Sequence, residues 1–498
     1  MDSTVVTVEF ERTSRRCWNK FGGESLFALY SPFFVSLAAG NLSPRAFGNC
    51  IYQDYHFLRV LFAAYAPSYH TLIRLVFRYA LAEENCEDGE YETVIVQEFK
   101  NSALQKVDTY EKLVQEIQNN LDPSRTPNIY KKWIDYYSSR DFEELVSRNE
   151  YVLDKLSRCL DGGEIEVVDQ LYHRALRLQI EFFANLPMDR PTLVPILRLE
   201  DRSRQLDIFF DYEKTCIVID SAVVLAEAKM RICEIFGMPS AAFSNKLRVL
   251  SYLSSFEFEQ CFRRIESSIQ GQQVFDFDGL WRALKQVAEC ERRANARLAE
   301  SRLLHNLGLD DINCAASIVI LRKGCREFFQ KIVEDKSPNI NVHVVSYCCS
   351  DLMRFVFPPE IMNIFSVHTN ELAYEDGLTT GDISRRVETS FDKLRYFCEV
   401  ILRRRETETK HVTVCIGGDV GDLLCLLGAD IGIVVSSPRS NLMRVGHHFG
   451  VKFVPLFPAL VKQQKDVSEG SSDIWKSEAA VLYTVSCWLE IEAFILGF

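Results

Sequence analysis

The residues best suited to chemistry lie in the second half of the chain, each just beyond a short apolar run. In order they are Asp211-Tyr212-Glu213-Lys214-Thr215, then Ser346, then Lys393, then Gly417-Gly418-Asp419-Val420-Gly421-Asp422. Gathered at one edge of a sheet, they would supply a carboxylate nucleophile at Asp211 and a proton donor at Glu213. They would also supply a hydroxyl and an ammonium for phosphate oxygens, and acids for a divalent ion. That inventory suits phosphoryl transfer through an aspartyl-phosphate, in which one hard displacement is split into two easier ones. Mg²⁺ is the expected ion, because it binds through a few carboxylates completed by water and phosphate oxygens.

The elements that must bring these residues together are legible in outline. Ile208-Phe209-Phe210 runs into Asp211, Val342, Val344 and Val345 run into Ser346, and Val412, Val414 and Ile416 alternate toward Gly417. Ile431–Val435 is a further apolar run. Short apolar strands that end in polar loops before helices predict an open parallel α/β sheet, whose site lies outside the carboxyl ends of its strands. Between roughly 225 and 330 the chain is helical and charged, which predicts an inserted cap. The run from Ala479 to Phe498 reads as a packed terminal helix, since Glu490 and Glu492 interrupt it and each charge at mid-bilayer costs about 3 kcal/mol.

Residues 1–190 read as helices. Ser43-Pro44 is a helix start, followed by Phe47, Ile51, Leu58 and Leu61 at helical spacing with Asp54 in their row. Asp161-Gly162-Gly163 divides a later helix pair and reads as a C-cap. The second helix of that pair puts Val168, Tyr172, Ala175, Gln179 and Phe182 on one face. Pro187, Pro191 and Pro195 break the periodicity, so a linker is expected over 191–204 and a second domain over 205–498.

Composition narrows the function classes. The 498 residues carry 57 Lys and Arg against 69 Asp and Glu, a net charge of −12, which leaves no global field for nucleic acid or anionic lipid. The 16 cysteines show no paired C-x-x-C spacing, and Cys348, Cys349 and Cys415 read as buried strand thiols in a reducing compartment. The acidic, non-apolar start predicts a cytoplasmic protein, with a mitochondrial location as the alternative if a longer start adds a presequence.

The motif order resembles the haloacid dehalogenase (HAD) phosphatase superfamily, whose first motif is D-x-D-x-T after a strand. The segments VHVVSYCCSDLMR, GDLLCLLGADIGIVV and VGHHFGVKFVPLF are similar to the phosphatase half of plant bifunctional thiamin-salvage proteins. YSPFFVSLAAGNLSPRAF, YQDYHFLR and IYKKWIDYYSS are similar to segments of their TenA (thiaminase-II-like) half, in the same order. The resemblance implies an all-α TenA-like bundle followed by an α/β HAD-like parallel-sheet domain with a helical cap, hydrolysing thiamin monophosphate with Mg²⁺. It implies Asp211 as nucleophile, Glu213 as acid and base, Thr215, Ser346 and Lys393 on phosphate, and Asp211, Asp419 and Asp422 near the metal. In the TenA half it implies an aminopyrimidine hydrolase with Asp54, Tyr137 and Gln179 as pocket residues, and assembly into oligomers. The partners expected are small molecules, not nucleic acid or membranes.

Three positions depart from the family pattern. Glu213 stands for an aspartate, Gly418 for the metal-ligand aspartate of the fourth motif, and Gln179 for the TenA proton-transfer glutamate. Glutamine matches glutamate in shape but does not titrate. The competing expectation is therefore a binding or regulatory homologue without turnover.

Overall fold

The computed structural model describes residues 12–40, 42–56, 112, 127–157, 160–186, 205–235, 241–267, 274–335, 339–405, 411–437, 439–468 and 480–497. The chain divides into two units, Met1–Leu193 and Val194–Phe498. Leu58, Leu61 and the expected linker over 191–204 lie outside the described residues.

The first unit is helical. Ser43 Oγ accepts the Ala46 N–H at the start of a helix over 44–56, as its spacing predicts. Asp161 differs from expectation. It is the N-cap of the helix Gly162–Ala184, with its side chain on the Glu164 N–H and the Glu164 carboxylate on its own N–H. The reciprocal bonds satisfy two otherwise orphaned donors, a stronger signal than the paired glycines. That helix buries Asp169 and Phe183. Asp169 joins Arg16 and Lys20 of the helix Thr13–Lys20, each at 2.8 Å. Phe33, Phe47, Ile51 and Phe183 form the core, with Trp133 and Tyr137 packed on its rim.

The second unit is built on an eight-stranded sheet. Its strands are β1 (Gln205–Phe210), β2 (Ile340–Cys349), β3 (Phe365–Glu375), β4 (Leu378–Ser384), β5 (His411–Gly417), β6 (Ile431–Val435), β7 (Lys452–Pro455) and β8 (Val481–Val485), in the order β4-β3-β2-β1-β5-β6-β8-β7. All neighbours are parallel except the antiparallel pair β3–β4 at one edge, which the sequence reading did not anticipate. β1 lies between β2 and β5, with Phe210 in register with Val344 and Ile416. Its five residues from Leu206 to Phe210 are buried, as strands covered on both faces require.

The segment after β1 is helical, as expected: Ser221–Ile235, Ala241–Ser267, Phe277–Ser301, Leu309–Ser317 and Cys325–Asp335. The last of these belongs to the sheet layer, because its Phe328 and Phe329 pack against Trp488. The C-terminal run is corrected too. It forms β8 and then a short helix, Trp488–Ile495, in place of one long helix. Both glutamates are buried there with partners: Glu490 accepts the N–H and hydroxyl of Ser486, each at 2.7 Å, and Glu492 pairs with Lys331. Among the described residues no helix is long and apolar enough to cross a membrane.

Trp488 joins this layer to the turn after β1. It is fully buried against Phe210, Phe328 and Phe329, and its Nε1–H donates to the Thr215 carbonyl at 3.0 Å. Trp488→Ala is expected to cost about 3–5 kcal/mol in denaturant unfolding. An unchanged midpoint would show that the turn is held otherwise.

Candidate active site

Asp211 follows the last residue of β1, and its N–H donates to the Ile416 carbonyl of β5 at 3.1 Å. Register sets this position: Phe210 is level with Val344 and Ile416, so Asp211 stands beside the carboxyl ends of both neighbouring strands. Ser346 lies two residues farther along β2 and is fully buried. Its Oγ accepts the N–H groups of Glu213 and Cys348, each at 3.4 Å.

Lys393 comes from the first turn of the helix Ser390–Arg405, yet it is 1% exposed. Its Nζ lies 2.8 Å from Asp422 Oδ1 and 3.3 Å from Asp211 Oδ2, and 4.0 Å from the centre of the Tyr347 ring. Burial alone works against its charge, but Asp211 and Asp422 lift its pKa above the ordinary lysine value. Asn370 of β3 fixes the loop that delivers this helix. Its Nδ2 donates to the carbonyls of Tyr347 and Val387 at 2.9 Å, and its Oδ1 accepts the N–H groups of Arg386 at 2.8 Å and Val387 at 3.0 Å.

Both Asp211 carboxylate oxygens are buried without a hydrogen-bond partner. Burial first, and then the nearby Asp422 carboxylate, push its pKa up from the usual aspartate range. Glu213 is also buried and shifted upward, first by burial and then by Asp220. It accepts the Ser221 N–H at 3.0 Å and bonds the Ser221 hydroxyl. Burial thus shifts both carboxyls toward their neutral forms, which leaves Glu213 a proton to give. Thr215 is fully buried, with its hydroxyl unpartnered.

The fourth-motif loop uses its acids differently from one another. Asp422 Oδ2 accepts the N–H groups of Gly418 at 3.0 Å and Asp419 at 2.9 Å, so with Lys393 on Oδ1 both oxygens are engaged. Asp419 pairs with Lys214 at 3.1 Å and accepts the Val420 N–H at 2.9 Å. Burial favours its neutral acid, but Lys214 and Lys393 hold its pKa below the usual range. Lys214 itself takes the left-handed backbone region, at φ 57°.

Among the described residues, no group of three or more His, Cys, Asp and Glu gathers as metal ligands. Mg²⁺ does not need one, because one or two carboxylates with waters and phosphate oxygens complete its shell. Asp211, with Oδ2 ion-paired to Lys393 and neither oxygen hydrogen-bonded, fits such a cation. Asp422 stands committed to Lys393 and the loop amides, and Gly418 brings no ligand. A Cβ at 418 would lie 2.7 Å from the Lys214 carbonyl oxygen and 2.9 Å from that of Val435, so the backbone has closed over the place where the family carries aspartate.

Above these groups opens a cavity of about 670 Å³, walled by the helices Ala241–Ser267 and Phe277–Ser301. Glu213, Lys214, Ser221 and Asp419 lie on its sheet side, and Phe258 and Phe262 on its helix side. Tyr347, Asn370, Ser221 and Glu291 escaped the sequence reading, because none has a motif spacing. Position just beyond Ser346 was the one available hint for Tyr347.

In the first unit, Asp54 is half-buried and Tyr137 packs on Trp133 with ring centres 4.5 Å apart. Gln179 is exposed, because the inward face of its helix runs through Asp169 and Phe183. The expected row from Val168 to Phe182 therefore does not share one buried face.

A mostly parallel sheet with a helical insertion after its first strand, and with acids and a lysine at the carboxyl edge, gives the second unit a HAD-like fold. The chain belongs to the family of bifunctional thiamin-salvage (TH2) proteins. It is 36% identical to the bifunctional TH2 protein, mitochondrial, of Arabidopsis thaliana over 550 aligned residues, covering 97% of this chain and 89% of that one. No family model matches the chain. Similar solved structures include a phospho-aspartyl intermediate analogue of phosphoserine phosphatase, 14% identical over 47% of this chain and 88% of that one, with a TM-score of 0.29. Another is a HAD-hydrolase, YfnB, from Bacillus subtilis bound to magnesium, 11% identical over 44% and 86%, with a TM-score of 0.22.

Gly418→Asp, which restores the family residue, is expected to lower stability by about 1–3 kcal/mol through overpacking. Its phosphatase rate is expected not to exceed that of the wild type. A stable variant with a raised rate would mean that the loop opens freely.

Proposed function

We propose that the second unit hydrolyses thiamin monophosphate to thiamin and inorganic phosphate. Asp211 Oδ attacks phosphorus, the bond from phosphorus to the ester oxygen breaks, and Glu213 gives its proton to that oxygen. Glu213, now ionised, takes a proton from water as the water oxygen attacks phosphorus, which releases phosphate and frees Asp211. Ser346 accepts two amide hydrogens and so has its own hydrogen to offer a phosphate oxygen, and Lys393 supplies the fixed positive charge. Thr215 stands behind the nucleophile with its hydroxyl unpartnered. When bound, Mg²⁺ would neutralise charge on the transferring group, with Asp211 holding it and Asp419 the nearest further acid, while Asp422 holds the loop and Lys393. The single observation that supports this reading most is the buried Asp211 carboxylate, free of hydrogen bonds and ion-paired to Lys393, two residues before Glu213 of the cavity wall.

For the first unit we propose aminopyrimidine binding without hydrolysis, with Asp54 and Tyr137 as pocket residues. The exposed, non-titrating Gln179 supports the loss of proton transfer. Location stays a proposal as well: the cytosol, with the mitochondrion as the alternative that the relative's name favours. A fluorescent fusion of the full transcript decides between them.

Phosphate release from thiamin monophosphate with Mg²⁺, abolished by Asp211→Asn and by chelation, is the expected result. No release by the folded wild type would overturn the phosphatase reading in favour of a binding protein. Glu213→Gln is expected to slow turnover about 10²–10⁴-fold. Because Glu213 is raised in the fold from its ordinary value of 4.5, its ionisation lowers stability progressively as pH climbs above that value. Glu213→Gln is expected to lose that decline, so its melting temperature should gain on the wild type between pH 5 and 9, roughly the span over which a raised glutamate titrates. Ammonia release from an aminomethyl-pyrimidine should be absent, and its detection would return proton transfer to the first unit.

A further inference from the structure

The cavity over the site is acidic as well as apolar. Six acidic side chains line it against two basic ones, Lys214 and Arg385. Both bases are already paired, Lys214 with Asp419 at 3.1 Å and Arg385 with Glu388 at 2.9 Å. Glu259, at the rim, is paired with Arg263 at 3.1 Å. Burial shifts Glu213 and Asp220 toward their neutral forms, and Glu291 has no ion-pair partner within the cavity wall. A phosphate monoester entering here carries its own negative charge, so this surplus does not serve the phosphoryl end.

Glu291 is the acid whose position asks for a ligand. It lies on the helix Phe277–Ser301, opposite the sheet edge, and is 8% exposed. Its Oε1 accepts the Tyr347 hydroxyl at 3.0 Å, whereas Oε2 is buried with no hydrogen-bond partner. A buried carboxylate oxygen left unpaired is costly, and natural sites keep such an atom where something else completes it. Burial, and secondly the Asp419 charge, push Glu291 up to about 7, against the Tyr347 hydroxyl, the Lys393 charge and the Ser390 amide, which act the other way. Tyr347 links the two ends of the cavity, since its hydroxyl holds Glu291 while its ring lies over Lys393. Beside Glu291 the wall is apolar, with Phe258, Phe262, Leu250 and Leu298.

We propose that Glu291 is the counter-ion for a positively charged organic leaving group, so that the site selects phosphate monoesters of flat or apolar cations over neutral ones. The proposal rests on the phosphatase reading above and deepens it. The leaving group enters with its cationic ring against Phe258 and Leu298, its charge facing Glu291 Oε2 and its phosphate facing Lys393. Glu291 makes no contact with the reacting atoms and so determines specificity, not chemistry.

The test compares kcat/KM for thiamin monophosphate, a cationic ester, with that for phenyl phosphate, a neutral one, in wild type, Glu291→Gln and Glu291→Asp. Glutamine keeps an acceptor for the Tyr347 hydroxyl but removes the charge. Glu291→Gln is expected to lower the ratio of the two specificity constants at least tenfold, mainly through KM for the cationic ester, with Glu291→Asp between the two. A ratio unchanged in Glu291→Gln overturns the proposal, as does an equal loss on both esters. If the wild type turns over neither ester, the phosphatase reading fails separately, and calorimetric titration with thiamin itself decides. Binding weakened at least tenfold in Glu291→Gln upholds the counter-ion, whereas equal affinity or no binding to the wild type rejects it.

Discussion

A lysine ammonium sealed between two aspartates is the interaction around which the second unit is organised. Lys393 lies within 3.3 Å of Asp211 and 2.8 Å of Asp422, with 1% of its surface exposed. Charges removed from water are tolerated only when paired at close range, and breaking such a pair leaves an uncompensated ion whose cost is about 3–5 kcal/mol. Three segments are thereby bound to one another: the end of β1, the first turn of the helix Ser390–Arg405, and the loop after β5. Burial first, and then the neighbouring Asp422 carboxylate, push Asp211 toward its neutral form despite the lysine.

Charge is arranged in layers moving outward from that trio. Glu213 is kept neutral by burial and by Asp220, and held in place by Ser221. Next comes Lys214 with Asp419, a partly exposed pair at the cavity mouth. A pair so exposed contributes little to stability, but it keeps Asp419 ionised. Farthest is Glu291 on the cap helix.

Departures from the family pattern look different once packing is seen. Glycine at 418 reads in sequence as a lost ligand, and in the fold the carbonyls of Lys214 and Val435 leave no room for a side chain there. The change is structural as well as chemical, and a single reversion does not undo it. Gln179 reads as an isosteric replacement in a pocket row, whereas its helix turns that residue outward and buries Asp169 in a cluster with Arg16 and Lys20. An apolar row with one polar member marks a face only when the neighbouring helices agree, and here the ion pairs of Asp169 decide which face turns in.

Short apolar runs were enough to identify β1, β2, β5 and β6 and the polar groups after the first three, because a buried run and the polar residue that ends it are local properties. Motif order likewise made Asp211, Ser346, Lys393 and Asp422 legible as one group. What sequence did not determine was which of the remaining acids meet a cation and which stay alone. It also did not reveal that Ala479–Phe498 would yield a strand, since β8 forms only by pairing with β6 and β7. The roles of Tyr347, Asn370 and Glu291 depend on approaches between β2, β3 and the cap helix, across 56 residues in the case of Tyr347 and Glu291. Periodicity along a chain encodes which side of an element is apolar, but partnership between charges depends on distances of a few ångströms that only the packed fold sets.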